Sequence, residues 1–249
     1  MDMDLKKLFL ELWAKYFDGS ELPFVFYYTE RDDCAELVPP PSGHVCIMAV
    51  LSKVRDGIPL CFEAASIGCS GGKRYLGFTR DVMPNFEYFL SHGIPGKLEG
   101  ERYKKSPELV KEMQKKWPEF KSPHRFIVFK RWDQLEEGDD PDVVIFIAKP
   151  DVLSGLFTLA NFDVANPNEV YAPFAAGCGT IVQYPYLEKN SYHPRCVIGM
   201  FDVSARLCVP GDTLSFSVPM KKFIRMIHNM EESFLTTTSW RKVKNRISR

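Results

Sequence analysis

None of the seven cysteines in this chain stands in a Cys-x-x-Cys pair. That removes the local signature on which most zinc and iron–sulfur sites are built. The Gly-x4-Gly-Lys-Ser/Thr phosphate loop and the Gly-x-Gly-x-x-Gly dinucleotide fingerprint are missing too. Charge of one sign is not in excess: Lys+Arg and Asp+Glu both number 32. No overall field therefore draws the molecule toward nucleic acid or an anionic membrane. Apolar runs stop well short of the roughly 20 residues of a membrane span. Met1 is followed by Asp-Met-Asp and an amphipathic stretch, where a leader peptide would carry a basic start and an apolar block. An odd cysteine count without framework spacing predicts reduced thiols, and hence a cytoplasmic protein.

What is there suits an ordinary globular protein. The 249 residues are 45% hydrophobic and 26% charged, which predicts one domain over 1–249 with ample length for a core. Residues 1–22 read as an N-terminal helical segment, with Leu5, Leu8, Phe9, Leu12, Trp13 and Tyr16 forming the buried stripe of a helix over 4–17. Further helices are predicted over 43–55, 85–91, 107–116, 150–162 and 219–234. Ser106-Pro107 makes a good start for the fourth, because proline fits a first helical turn. Strand formers mark 24–28, 58–62, 126–129, 143–148 and 196–200, with an extended piece near 169–172. The near-continuous apolar run at 143–148 predicts a central strand. The expected fold class is α+β (mixed α/β), a central sheet flanked by helices. The acid-free basic residues 241–249 read as a solvated, frayed tail.

Two segments resemble one another. They are Phe62-Glu-Ala-Ala-Ser-Ile-Gly68-Cys69-Ser-Gly71-Gly72 and Tyr171-Ala-Pro-Phe-Ala-Ala-Gly177-Cys178-Gly179-Thr180-Ile181. In each an aromatic residue stands seven positions before a cysteine, and Gly-Cys opens what reads as a helix. A helix start offers unpaired N–H donors and the positive end of the helix dipole. The order strand, helix, strand, Gly-Cys recurs in both halves, which suggests a degenerate internal duplication that would bring the loops toward one axis.

Three chemistries fit such loops. The first is a thiolate metal or iron–sulfur site built from Cys69 and Cys178, with Cys46 and Cys196 as further ligands and His44 as a nitrogen alternative. The second is an anion cradle at Gly68, Gly71 and Gly72 with Lys73 and Arg74, matched by Gly177 and Gly179 in the other loop. The third is nucleophilic catalysis by either cysteine with a histidine base, His193 being the best placed in sequence. The bland alternative is that these cysteines only pack as small apolar residues. Cys61 reads as core, Cys34 as a loop residue and Cys208 as part of a turn before Val209-Pro210-Gly211. Glu63, inside an apolar segment, needs a partner such as Arg74 or Lys73 if it is buried.

Several runs together resemble one family. They are Cys46-Ile-Met-Ala-Val-Leu, Gly68-Cys69-Ser-Gly-Gly72-Lys-Arg-Tyr75-Leu-Gly77-Phe, Pro141-Asp-Val-Val-Ile-Phe, Gly199-Met-Phe-Asp202 and Phe216-Ser-Val-Pro-Met220. From about 40 to 240 the chain is similar to domain of unknown function 169, the uncharacterised ArCR proteins of bacteria and archaea. The resemblance implies a prokaryotic, cytoplasmic protein with shared cysteine loops, and it implies no activity. The expected function is thus a ligand- or metal-binding protein, redox-linked if it holds an iron–sulfur cluster, with zinc as the other metal. Its site would lie between the Gly68-Cys69 and Gly177-Cys178 loops. A cysteine-dependent enzyme and an interaction protein are the alternatives. The expected partner is a small molecule or metal, with neither nucleic acid nor membrane involved and a homodimer left open.

Overall fold

Eight strands of this computed structural model, which describes residues 1–247, form one sheet. In chain order they are β1 (Phe24–Thr29), β2 (Glu36–Leu37), β3 (Leu60–Phe62), β4 (Phe126–Arg131), β5 (Val143–Ala148), β6 (Val170–Tyr171), β7 (Cys196–Gly199) and β8 (Leu214–Pro219). Across the sheet the order is β2-β3-β4-β1-β5-β8-β7-β6. Both edge pairs, β2 with β3 and β6 with β7, are parallel, and every other pairing is antiparallel. The fold is α+β, and β5 is central with all six residues buried, as its apolar run predicts.

The α-helices are α1 (Met3–Phe17), α2 (Ile47–Val50), α3 (Ser52–Arg55), α4 (Ser70–Tyr75), α5 (Phe86–Phe89), α6 (Pro107–Lys115), α7 (Pro150–Ala160), α8 (Tyr184–Glu188), α9 (Met220–Asn229) and α10 (Thr238–Ile247). Side chains alternate across a strand, so each strand feeds two cores. Val25, Val144, Phe146, Phe216 and Val218 point toward α1, α7, α9 and α10. Phe24, Phe26, Phe129, Val143 and Ile145 point the other way, toward the short helices and loops that carry the cysteines. Phe9, Trp132, Phe146 and Phe223 form an aromatic cluster in the first core, with ring centroids 5.0 to 5.8 Å apart. Burying each such ring stabilises the fold by about 1.5–3 kcal/mol.

The two halves of the sheet have the same strand order. Read from its edge toward the centre, the first half runs β2-β3-β4-β1 and the second β6-β7-β8-β5. They meet where β1 pairs antiparallel with β5, Val25 opposite Val144. This places the Gly-Cys segments differently from the sequence match. Cys69 follows β3, one strand in from its edge, whereas Cys178 follows the edge strand β6. By sheet position the counterpart of Cys178 is Cys46, after β2, and the counterpart of Cys69 is the β7-to-β8 connection, which ends its 3-10 helix Val203–Cys208 on Cys208.

The C-terminal segment is ordered rather than frayed as far as it is described. Residues 241–247 belong to α10, whose Trp240 is buried beside Gly155, where a Cβ would lie 2.4 Å from the indole. Trp240 Nε1 donates to the Tyr16 carbonyl at 3.0 Å, and Arg246 pairs with Asp151. An apolar anchor directly before the charges thus docks the segment as a helix while Arg241, Lys242 and Arg246 stay exposed. Residues 248–249 of the expected tail lie outside the described residues. Among those described, no helix is long and apolar enough to cross a membrane.

Candidate thiol site

Each of three cysteines on the second face stands at a helix start. Cys46 precedes α2, which starts later than the predicted 43–55 helix. Cys69 precedes α4, and its Sγ accepts a hydrogen bond from the Gly72 backbone N–H at 3.4 Å. Cys178 precedes a five-residue π-helix, Gly179–Gln183, which runs into α8. Inserted π turns are rare and concentrate at functional positions.

Close approaches draw these segments together. A Cβ on Gly68 would lie 2.6 Å from the Gly43 carbonyl oxygen, so the loop before Cys69 packs on the chain just ahead of Cys46. A Cβ on Gly179 would lie 2.7 Å from the Tyr75 ring, so the turn after Cys178 packs on α4. Gly177 in turn seats against Met200 and Ala205, and its N–H donates to Asp202 at 3.3 Å. The helix contacts between the halves are reciprocal: α2 touches the Val203–Cys208 helix, and α4 touches the π-helix.

The thiols accordingly share one electrostatic neighbourhood. Burial, then the Cys69 and Cys46 thiols, push Cys178 well above the ordinary cysteine range. Burial, then the neighbouring Cys46 thiol, raise Cys208 to about 11. Four thiols from four segments, two per half of the sheet, are therefore linked through Cys46: Cys69 and Cys46 neighbour Cys178, and Cys46 neighbours Cys208. Cys208 was read from sequence as a turn residue, and its one signal was a cysteine ending the connection between two predicted apolar segments.

Cys196 does not join them. Strand alternation turns its side chain to the opposite face, among the residues packed under α1, α7 and α9. Burial raises it to about 12, and its charged neighbours are Lys222, Glu169 and Glu188 rather than thiols. Cys61 and Cys34 lie together on a third small cluster with Tyr27, Phe126 and Val128.

The expected cations also lie elsewhere. Arg74 stacks over Trp117 at 4.4 Å and donates to the Arg80 carbonyl at 2.5 Å. Lys73 sits in the last turn of α4, and Gly71 and Gly72 stand in its first turn, against Cys69 and Ile67 respectively. With six residues α4 is too short to make a strong anion site from its dipole, and one of its N–H donors is already given to Cys69. Glu63 is partnered by Arg125 at 3.0 Å, neither Lys73 nor Arg74 being its partner.

Three of the histidines have other surroundings. His44 is exposed, His193 packs on Tyr192, and His124 pairs with Glu30. Burial raises Cys61, Cys178, Cys196 and Cys208, the opposite of the lowered pKa that activates a thiol. A cleft of about 370 Å³ between Gly19, Lys149 and Arg246 holds no cysteine. Its charges are already paired, Arg246 with Asp151 and Lys149 with Asp212. Among the described residues no group of three or more His, Cys, Asp or Glu side chains forms a ready-made site for a metal ion.

A family described as DUF169, uncharacterised ArCR, matches residues 15–229. No curated protein and no solved structure matches the chain.

Proposed function

The chain belongs to the DUF169 family, and we propose that it is a binding protein whose site is the meeting point of Cys46, Cys69, Cys178 and Cys208, with a thiolate-ligated centre of iron–sulfur type as the ligand. The observation that carries this reading is that Cys46, from one half of the sheet, neighbours both Cys178 and Cys208 of the other, with Cys69 beside Cys178. Soft thiolates favour iron–sulfur clusters and soft metal ions. A single zinc would need sulfurs about 3.8 Å apart, from bonds near 2.3 Å, and no such group stands ready. A cluster is wider and suits thiols spread over a larger site. The Gly72 N–H that donates to Cys69 Sγ supplies the kind of hydrogen bond that tunes cluster sulfurs. Anaerobic purification or reconstitution with iron and sulfide, followed by metal analysis and an absorbance spectrum, tests the proposal. A colourless protein that takes up no iron contradicts it.

One observation favours a second reading. The Cys46 and Cys208 thiols are direct neighbours, so without a metal the same site is a dithiol poised to close as a disulfide.

A further inference from the structure

The thiol site opens onto a surface that the rest of the chain leaves uncovered. Leu207 is 95% exposed, Val203 68%, and Phe201 and Phe174 56% each. Exposed Val45, next to Cys46, extends the same surface. The segments that carry these residues touch. The Val203–Cys208 helix touches α2 just after Val45, and Gly177, three residues past Phe174, seats on Met200 and Ala205. Single exposed apolar residues are ordinary, whereas a rim of several around a reactive site marks an interaction surface.

Positive charge borders this rim. Tyr103 Oη accepts a hydrogen bond from the Ser204 N–H at 3.0 Å, which lays the 101–105 segment beside the apolar turn. That segment presents Arg102, Lys104 and Lys105, none of which has a carboxylate partner among the described residues. Lys104 Nζ stands 3.9 Å from the centre of the Phe174 ring instead. Arg206 spends its donors on the carbonyls of Met200, Pro210, Gly211 and Thr213, so its charge too is met by no carboxylate. The acids nearby are Glu101 and Asp202, and the Asp202 carboxylate is occupied by the N–H groups of Gly177 and Ser204 and by the Ser204 hydroxyl.

We infer that this rim docks a protein whose contact face is acidic around an apolar centre, and that docking brings that protein over the thiols. Charge complementarity selects this occupant. A second copy meeting through the same patch would set its cations against their own images, which is unfavourable. A bilayer would cover the thiols without offering them anything to bind or exchange. The inference takes its purpose from the proposed thiol centre, but the docking itself needs no metal.

The test uses the full chain, as isolated, and a plant-type ferredoxin as a small acidic probe, titrated calorimetrically at low and at high ionic strength. Saturable binding that weakens about tenfold or more with salt is expected, since exposed charges are screened beyond about 10 Å at 0.1 M salt. The triple charge reversal Arg102→Glu, Lys104→Glu, Lys105→Glu should abolish it, Leu207→Ser should weaken it, and Lys242→Glu on α10 should leave it unchanged. Because the exposed substitutions leave the cores intact, unchanged melting curves are expected for all of them. No saturable binding, binding indifferent to the charge reversal, uptake on phosphatidylserine vesicles in its place, or self-association abolished by Leu207→Ser would each overturn the inference. Iron content is measured on the same samples. A protein that binds ferredoxin in this salt-dependent way yet takes up no iron keeps the docking surface and loses the cluster.

Discussion

Gly179 and Tyr75 touch across the two halves of the molecule: a Cβ on the glycine would stand 2.7 Å from Cδ1 and 2.8 Å from Cε1 of the buried ring. This contact fixes how near the turn after Cys178 comes to the helix after Cys69. A methyl group there forces apart two surfaces that are already close-packed. Gly179→Ala is expected to destabilise the fold by about 1–3 kcal/mol and to weaken metal uptake. Denaturant titration measures the first effect, and a midpoint identical to that of the parent would show that the contact is slack.

The second prediction concerns the opposite face. Lys222 and Glu169 form an ion pair of 2.5 Å, both side chains almost fully buried, and they are neighbours of Cys196. Removing one partner strands a charge in a medium that solvates it poorly. Lys222→Met should cost about 3–5 kcal/mol, whereas Lys222→Met with Glu169→Leu should recover most of the loss. Urea midpoints of the two variants decide it, and equal losses would contradict the pairing.

The buried thiols make stability fall in alkali. Burial raises Cys61 and Cys196 to about 12, and Cys178 in the same direction. Unfolded cysteine ionises near 8.5, so above that pH the unfolded state loses protons that the folded state keeps. The stabilisation from each raised group is complete below about pH 8.5 and drains away as pH climbs toward its folded value. Each thiol contributes up to about 1.4 kcal/mol per pH unit in that window. Thermal melts of the metal-free protein at rising pH should show the decline, less steep in Cys196→Ala after allowance for its packing loss. A flat profile above pH 9 would rule out neutral buried thiols.

Much of the architecture was legible because it is local. The apolar stripe of α1, the Ser106-Pro107 start of α6 and the run of β5 are each encoded within a dozen residues. What escaped is non-local or a matter of parity. Cys196 and Cys208 are each followed by a valine, and only the register of β7 in the sheet decides that Cys196 faces α1, α7 and α9. The two-residue edge strand β2 is too short to leave a pattern, yet it makes Cys46 the positional counterpart of Cys178. The match between the two Gly-Cys segments was a likeness of loop chemistry, with Gly-Cys before a helical turn in each, at positions the sheet does not relate. The basic tail looked solvated because its anchor, Trp240, lies just ahead of it and needs the distant notch at Gly155.

Oxidation should join two particular thiols. With glutathione disulfide as oxidant, one thiolate of the Cys46–Cys208 pair forms a mixed disulfide and releases glutathione. The other then displaces the second glutathione, leaving an intramolecular bond and a mass lower by two hydrogens. Peptide mapping by mass spectrometry should find Cys46 linked to Cys208, and Cys208→Ser should stop at the glutathione adduct on Cys46. A dominant link involving Cys34 and Cys61 instead would contradict the neighbourhood assigned to the thiol site.

Iron stoichiometry in paired serine variants bears most directly on the account. Cys208→Ser and Cys196→Ser each remove one thiol, the first from the convergent set and the second from the far face of the sheet. After anaerobic reconstitution with iron and sulfide, Cys196→Ser should match the parent in bound iron and in its visible absorbance, while Cys208→Ser should lose most of both. The reverse pattern, or equal iron in both variants, would show that the four-thiol meeting point is not where the ligand sits.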